Sequence, residues 1–294
     1  MRPAVLLALA LPLPLAAQTA EERRGTIQFV ASLQQPDGGF IGGPLTKESV
    51  AAPKSSLRAT TAAVRVIKYF GGEVPNADKA AAFVMSCYDR ETGGFADQPK
   101  GTPDVTTTAV GMMAAAELYP GRFDPARSNR FLANNAKSFE ERRLAVAGME
   151  ATKTFAPVVK DWFAEVRRNA NPDGTYGKGD AQARETGGVI AMFLRAGEKL
   201  PDDQHKAVVA ALQAGQRSDG GFGKPGDKGS DGETTYRVMR AFHLLKENPK
   251  NVNGVRQFFA RCRNPDGGYG VAPGQPTTVS GTYYVAAVSR WLAE

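Results

Sequence analysis

The sequence predicts an all-α protein built from six helical hairpins, and three observations support this. A turn of the form Asp-Gly-Gly-aromatic, or a close variant of it, occurs five times in the 294 residues. Apolar residues recur at offsets of three and four on both sides of each turn, as on one face of an α-helix. No run alternates apolar and polar residues as a half-buried strand would. Together these features indicate a repeat array of paired helices.

The repeated turn has a physical reason for its composition. Asp can accept a hydrogen bond from the backbone two residues on, glycine adopts positive φ without steric cost, and the aromatic can fold back under the loop. The steps between turns are 55, 81, 46 and 47 residues, so the long step contains two units, one of which lacks the turn. The five turns are Asp37-Gly38-Gly39-Phe40, Thr92-Gly93-Gly94-Phe95, Asp173-Gly174-Thr175-Tyr176, Asp219-Gly220-Gly221-Phe222 and Asp266-Gly267-Gly268-Tyr269.

Helical periodicity places two helices in each unit. The first pair lies around Ile27–Leu33 and Leu57–Ile67, with Gly71-Gly72 as the stop signal. In the third pair, Asn134-Asn135 stands in for the missing turn. The other pairs are predicted at about 76–88 with 104–119, 127–136 with 139–151, 156–169 with 183–197, 203–216 with 231–246, and 252–263 with 277–292.

Six such hairpins could stack as an open solenoid or close into a double ring, since repeat arrays bury a core only between neighbours. The second helix of each pair is rich in Ala, Gly, Thr and Val, whereas the first carries more Lys, Arg and Glu. This composition predicts that the second helices lie inside, around a central cavity.

The N-terminus resembles a secretory signal. Arg2 precedes an apolar run, Ala4–Leu15, and small residues follow at Ala16-Ala17. The run is too short to span a bilayer comfortably. We therefore expect residues 1–17 to be a signal peptide, residues 18–294 to be one exported domain, and the mature chain to have no transmembrane segment. A mis-assigned start codon or a disordered tail is the alternative.

Charge and cysteine content exclude some functions. The net charge is +7, but no run of five basic residues occurs, so nucleic acid is not an expected partner. Cys87 and Cys262 are too few for a disulfide framework and are expected to be buried and unpaired. His205 and His243 fall on predicted helices, where a surface or partly buried imidazole is the expected role.

The turns and the helices after them resemble the prenyltransferase and squalene-cyclase repeat family, especially geranylgeranyltransferase-type β subunits of protein prenyltransferases. Ala59-Thr60-Thr61-Ala62-Ala63-Val64 stands where those enzymes have Pro-Thr-Tyr-Ala-Ala-Val, and Thr186-Gly187-Gly188 stands at their His-Gly-Gly. The resemblance covers nearly all of residues 24–294. It implies an (α/α)6 toroid.

The residues that carry the family's chemistry are replaced. Glu233-Thr234-Thr235-Tyr236 lies at the zinc-bearing Asp-x-Cys-Tyr, and Ser280 lies at the last zinc ligand, a histidine. Zinc in such a site needs thiolate or imidazole ligands, so no metal and no other cofactor is expected. Asp104-Val105-Thr106-Thr107-Thr108-Ala109 keeps the frame of the cyclase motif Asp-x-Asp-Asp-Thr-Ala, but threonine hydroxyls are too weak as acids to protonate an alkene.

Alignment of the inner helices predicts a polar cavity mouth, although salt-bridged helix caps explain the same residues equally well. Tyr236, Tyr283 and Tyr284 either line the cavity wall or, as favoured here, pack between inner and outer helices. Lys224 and Lys228 occupy the loop that in the family precedes the zinc helix and binds diphosphate. No catalytic residue is assigned, and the candidate ligand-binding residues are Asp104, Thr106, Arg184, Glu185, Glu233, Thr235, Tyr236, Ser280 and Tyr283.

Three functions follow as hypotheses. The first is an exported prenyltransferase-like toroid that holds an isoprenoid, another lipid or a different ligand in its cavity, without zinc-dependent thiol prenylation. The second is a non-catalytic toroid that binds a protein or peptide, with no Gly-Cys-x-Glu-Gln thioester sequence for covalent capture. The third is a carbohydrate-active toroid with Glu185 and Glu233 as a carboxylate pair. The need for an α subunit stays open.

Overall fold

The computed structural model describes residues 18–44 and 54–294, and the predicted signal segment 1–17 lies outside the described residues. Within them the chain forms twelve α-helices and one hairpin of two-residue strands. None of these helices has both the length and the apolar character of a membrane span. The helices are α1 (Ala20–Ser32), α2 (Leu57–Tyr69), α3 (Ala77–Ser86), α4 (Val105–Leu118), α5 (Ala126–Asn135), α6 (Phe139–Ala151), α7 (Val159–Arg167), α8 (Gln182–Arg195), α9 (Asp202–Ala214), α10 (Gly232–Leu245), α11 (Val252–Arg261) and α12 (Val279–Trp291).

The even-numbered helices form a closed inner ring. Each of them packs against the next, from α2 through α4, α6, α8 and α10 to α12, and α12 packs against α2. The odd-numbered helices lie outside and pack against the inner ones. The predicted (α/α)6 toroid is therefore confirmed, with the second helix of each hairpin inside, and the open solenoid is excluded.

The repeated turns lock each unit to the next. In the fourth turn copy Gly220 has φ of +89° and its Cα is so close to α11 that a Cβ would lie 2.1 Å from the carbonyl oxygen of Gly254. In the last copy Gly267 has φ of +90° and lies against Gly25 of α1, while Thr26 Oγ1 donates to the Gly267 carbonyl over 2.7 Å. The first outer helix thus occupies the place after the last turn, which closes the outer ring.

A threonine on five of the six inner helices, all but α6, anchors the aromatic residue of the turn before it. The backbone N–H of Phe222 donates to Thr235 Oγ1 over 3.0 Å, and this hydroxyl donates back to the Phe222 carbonyl over 3.2 Å. The aromatic ring is buried beneath the loop, as predicted. The same N–H to hydroxyl bond joins Phe40 to Thr60, Phe95 to Thr108, Tyr176 to Thr186 and Tyr269 to Thr282, at 2.9 to 3.1 Å.

The remaining local predictions concern the third hairpin and the cysteines. In the third hairpin α5 ends at Asn135 and α6 begins at Phe139, so residues 136–138 make the connection. The prediction that Asn134-Asn135 replaces the turn was wrong, because both residues belong to the last turn of α5. Cys87 and Cys262 follow α3 and α11 directly and are buried and unpaired, as expected, and burial raises the pKa of each thiol to about 12. The strand pair β1 (Tyr269–Gly270) and β2 (Thr277–Thr278) was not predicted, because two-residue strands leave no periodic signal.

Candidate functional site

Several predicted site residues lie at the end of the ring where the inner helices begin, here called the N-terminal mouth. Asp104 is the N-cap of α4 and accepts from the backbone N–H of Thr107 over 2.7 Å, while Arg58 Nη2 lies 3.5 Å from its other oxygen. Arg184 Nη2 lies 3.1 Å from Glu233 Oε1. These side chains are used in capping and ion pairs, which is the alternative reading of the mouth.

Other predicted residues are not brought into a common site. Glu185 is exposed and lies against Gly177, whereas Glu233 is paired with Arg184. Ser280 is exposed and Thr106 is half-buried at the starts of their helices. The hydroxyl of Thr235 belongs to the turn anchor described above, which corrects its assignment as a cavity residue.

Tyr236 and Tyr283 lie on the ring axis and contact each other. Their hydroxyl oxygens are 3.1 Å apart. Arg240 Nη2 donates to the Tyr236 hydroxyl over 3.1 Å, and Arg65 Nη1 donates to the Tyr283 hydroxyl over 3.4 Å. Side chains from α2, α10 and α12 meet here, and α2 and α10 are not neighbours in the ring. The favoured prediction for these two tyrosines, packing between inner and outer helices, was therefore wrong, because both rings turn inward.

Arg65, Arg195, Arg240, Tyr236 and Tyr283 are here called the axial cluster. Two of its arginines have carboxylate partners: Arg195 Nη1 lies 2.9 Å from Glu150, and Arg65 Nε lies 3.8 Å from Glu117. Arg240 has none among residues 18–44 and 54–294, and its buried Nε has no hydrogen-bond partner there. Its guanidinium lies 4.2 Å from the ring centroid of Trp291 and 5.6 Å from that of Tyr236. Among the described residues the only hydrogen-bond partner of the Arg240 guanidinium is therefore the Tyr236 hydroxyl, and no carboxylate balances its charge.

The pKa values of the two phenols, Tyr236 and Tyr283, are shifted in opposite directions. Burial alone would raise the pKa of Tyr236, but the guanidiniums of Arg240 and Arg195 lower it to about 7. The pKa of Tyr283 is raised by burial and by the neighbouring Tyr236. Two phenols in contact thus differ in their preferred state, with Tyr236 inclined to be the phenolate and Tyr283 the hydrogen-bond donor to it.

A further arginine extends the cationic lining toward the N-terminal mouth. The side chain of Arg237 is only 4% exposed, and its Nη1 lies 2.8 Å from Glu140 Oε1 on α6. It passes over Gly188 of α8, where a Cβ would lie 2.3 Å from Arg237 Nη2. Burial and the neighbouring Arg143 lower the pKa of Arg237 to about 10. Position 188 in Thr186-Gly187-Gly188 therefore needs a glycine, because the side chain of Arg237 occupies the place of a Cβ.

The sequence contained a signal for these arginines that the family comparison did not use. Arg65, Arg195 and Arg240 each follow an apolar residue in the second half of an inner helix, which the closed ring turns toward its interior. Tyr236 and Tyr283 stand in the family's motifs, whereas the three arginines lie further along their helices than those motifs reach.

No metal site is assembled by the residues that the structure describes. Among them no three His, Cys, Asp or Glu side chains come close enough together to hold a metal ion. His205 Nε2 lies 3.0 Å from Glu247 on the outside of the ring, and His243 stacks on Trp291 with centroids 5.3 Å apart. Both imidazoles are partly buried on helices.

Comparisons with known proteins agree on the fold. The family model described as the prenyltransferase alpha-alpha toroid domain matches residues 5–74, 60–126 and 144–293. No curated protein sequence matches the chain. Protein geranylgeranyltransferase-I of Candida albicans, solved in complex with GGPP, is similar with a TM-score of 0.62 and 12% identity over 79% of this chain and 82% of that one.

Two further solved structures share the fold but differ in their described activities. The type II terpene cyclase MstE from Scytonema gives a TM-score of 0.60 and 13% identity over 94% of this chain and 98% of that one. A family 76 glycoside hydrolase from a bovine Bacteroides thetaiotaomicron strain gives 0.66 and 10% identity over 93% and 77%. At such identities the likeness shows the architecture alone, so function has to be argued from the side chains.

Proposed function

Because the chain belongs to the family of the prenyltransferase alpha-alpha toroid domain and carries arginines on the ring axis, we propose that it is an exported toroid that binds a small anionic ligand there. It does so without zinc-dependent transfer of a prenyl group to a thiol. The observation that supports this most strongly is Arg240, whose half-buried side chain faces no carboxylate among the described residues. Export rests on the sequence of residues 1–17.

A ligand anion would satisfy the cluster. A charge inside the ring without a counter-charge is costly, and a carboxylate or phosphate can accept from both Nη groups of one guanidinium. Trp291 covers one face of Arg240 and its Nε is enclosed by protein, which leaves the Nη edge for the ligand. The same anion could accept from Tyr283 or from Arg65, which lies 3.4 Å from the Tyr283 hydroxyl.

An isoprenoid chain fits the axis poorly. An apolar ligand is held by an apolar lining, and the desolvation of guanidiniums against a prenyl chain would be unfavourable. The axis of this ring instead presents three arginines and two tyrosines, with Arg240 and Arg65 donating to the tyrosine hydroxyls and the two hydroxyls in contact. Binding of an isoprenoid or another lipid, which the family suggests, is therefore the alternative that the experiment below has to distinguish.

Isothermal titration calorimetry of the full chain tests the proposal. We expect D-glucuronate and inorganic diphosphate to bind, and D-glucose and geranylgeraniol not to bind. Arg240→Gln is expected to weaken glucuronate binding about 10- to 100-fold, since a hydrogen bond to a charged group contributes about 1.5–3 kcal/mol. Arg290→Gln is the matched control, because Arg290 also lies over an aromatic ring, that of Tyr69 at 4.9 Å, but is 49% exposed.

Two results would contradict the proposal. One is binding of geranylgeraniol with no binding of either anion, which would indicate a lipid site. The other is equal glucuronate affinity in wild type and Arg240→Gln, which would place any anion site elsewhere in the molecule.

A further inference from the structure

We propose that Tyr236 and Tyr283 act as a general base and a general acid on a uronic acid held by Arg240, removing the proton α to its carboxylate and expelling the substituent at the β carbon. The substrate class is then a glycan that contains uronic acids linked through O4. This inference rests on the anion site proposed above and adds a reaction to it.

The geometry brings the required groups together at one point. The Tyr236 oxygen lies 3.1 Å from Arg240 Nη2 and 3.1 Å from the Tyr283 oxygen. A carboxylate that accepts from the Nη groups of Arg240 would therefore lie beside the Tyr236 oxygen, with its α carbon within reach of that oxygen. The groups that act on Tyr236 come from every inner helix around it: Arg240 on α10, Arg195 on α8, Arg65 on α2, and Tyr283, Tyr284 and Trp291 on α12.

The two phenols have the properties that the roles require. A base is most useful when its pKa is near the working pH, and the pKa of Tyr236 is lowered to about 7. An acid must keep its proton until the leaving group needs it, and the pKa of Tyr283 is raised. Paired groups with opposite shifts are a common feature of acid–base sites.

The reaction balances without water or a cofactor. The Tyr236 phenolate takes the C5 proton, whose acidity increases when Arg240 neutralises the adjacent carboxylate. The electron pair of that C–H bond forms the C4=C5 double bond, the C4–O bond breaks, and the departing oxygen takes the Tyr283 proton. Tyr236 is then neutral and Tyr283 is a phenolate. A proton transfer across their 3.1 Å contact restores the starting state.

The short distance between the two oxygens also predicts stereochemistry. A base and an acid 3.1 Å apart act on the same face of the sugar ring, so the elimination is syn. The C5–H and C4–O bonds lie on the same face in gluco- and manno-configured uronates and on opposite faces in galacto-configured ones. Poly-glucuronate and poly-mannuronate are therefore the expected substrates, and polygalacturonate is not.

The test is an elimination assay with the full chain. Poly-glucuronate, poly-mannuronate and polygalacturonate are each incubated with the protein, and the unsaturated uronate is followed by ultraviolet absorbance and mass spectrometry. We expect product from one or both of the first two, and kcat/KM that rises with pH through about 7. Tyr236→Phe and Tyr283→Phe should each lower kcat about 100-fold or more, whereas Tyr119→Phe, away from the cluster, should not.

Calorimetry with D-glucuronate separates the two proposals. Binding by wild type, together with no elimination from any of the three polymers, overturns the acid–base inference and leaves the anion site standing. Loss of both binding and elimination overturns the anion site as well. Full activity in Tyr236→Phe contradicts the assignment of Tyr236 as the base. Cleavage of polygalacturonate as fast as that of poly-glucuronate or poly-mannuronate contradicts the syn geometry. The circular dichroism spectrum and the urea midpoint of Tyr236→Phe should match those of the wild type, which shows that the variant is folded.

Discussion

Gly220→Ala is expected to lower the free energy of unfolding by about 3–5 kcal/mol. Gly220 has φ of +89°, where an alanine is strained, and the added Cβ would lie 2.1 Å from the Gly254 carbonyl oxygen of α11. The backbone of one unit would have to move away from the next. Urea unfolding followed by circular dichroism at 222 nm measures the loss.

Gly226→Ala measures the cost of backbone strain at positive φ without a steric clash of the added Cβ. Gly226 has φ of +81° in the following loop, but nothing lies within 4 Å of the position of its Cβ. This variant should therefore lose only the conformational part, about 1–2 kcal/mol. Equal losses in the two variants would show that the turn does not pack on α11 as described.

Glu140→Ala is expected to cost about 2–3 kcal/mol, because it leaves the charge of Arg237 buried without its carboxylate. The value is below that for a fully buried pair, since the Glu140 side chain is 49% exposed while Arg237 is 4% exposed. Burial opposes ionisation of Glu140, but Arg143 and Arg237 lower its pKa. Its contribution is therefore present at neutral pH and is lost as the pH falls through that lowered value, so the difference from wild type should shrink in acid.

Glu294→Ala is the control for this effect. Glu294 is 47% exposed, close to the value for Glu140, but its partner Arg290 is 49% exposed. The expected loss is about 0–1 kcal/mol. Chemical unfolding at neutral and acid pH measures both variants. A Glu140→Ala loss no larger than that of Glu294→Ala would contradict the burial of Arg237.

The fold could be predicted from the sequence because its determinants are local. The turn at Asp219-Gly220-Gly221-Phe222 needs an acceptor, positive φ and a buried ring within a few residues, and each copy meets that need in the same way. The anchoring threonine was also visible as a spacing. It follows the aromatic by 13 residues in three of the five copies, as from Phe222 to Thr235, but the family comparison assigned Thr235 to a lost zinc ligand instead.

The site could be predicted only in part because it is assembled from helices far apart in the chain. Tyr236 and Tyr283 were among the candidates, since they stand in the family's frame. Their partners were not, because Arg65 and Arg240 reach the axis from helices that are not neighbours in the ring. A long side chain can extend along its own helix, outward or across the ring, and sequence spacing does not distinguish these directions.

Spectrophotometric titration of the tyrosines tests most directly whether the axial arginines create a site for negative charge. The chain has eight tyrosines. The account predicts that one phenolate equivalent appears near pH 7 in the wild type and is absent in Tyr236→Phe. A wild-type titration with no step near neutrality would contradict it.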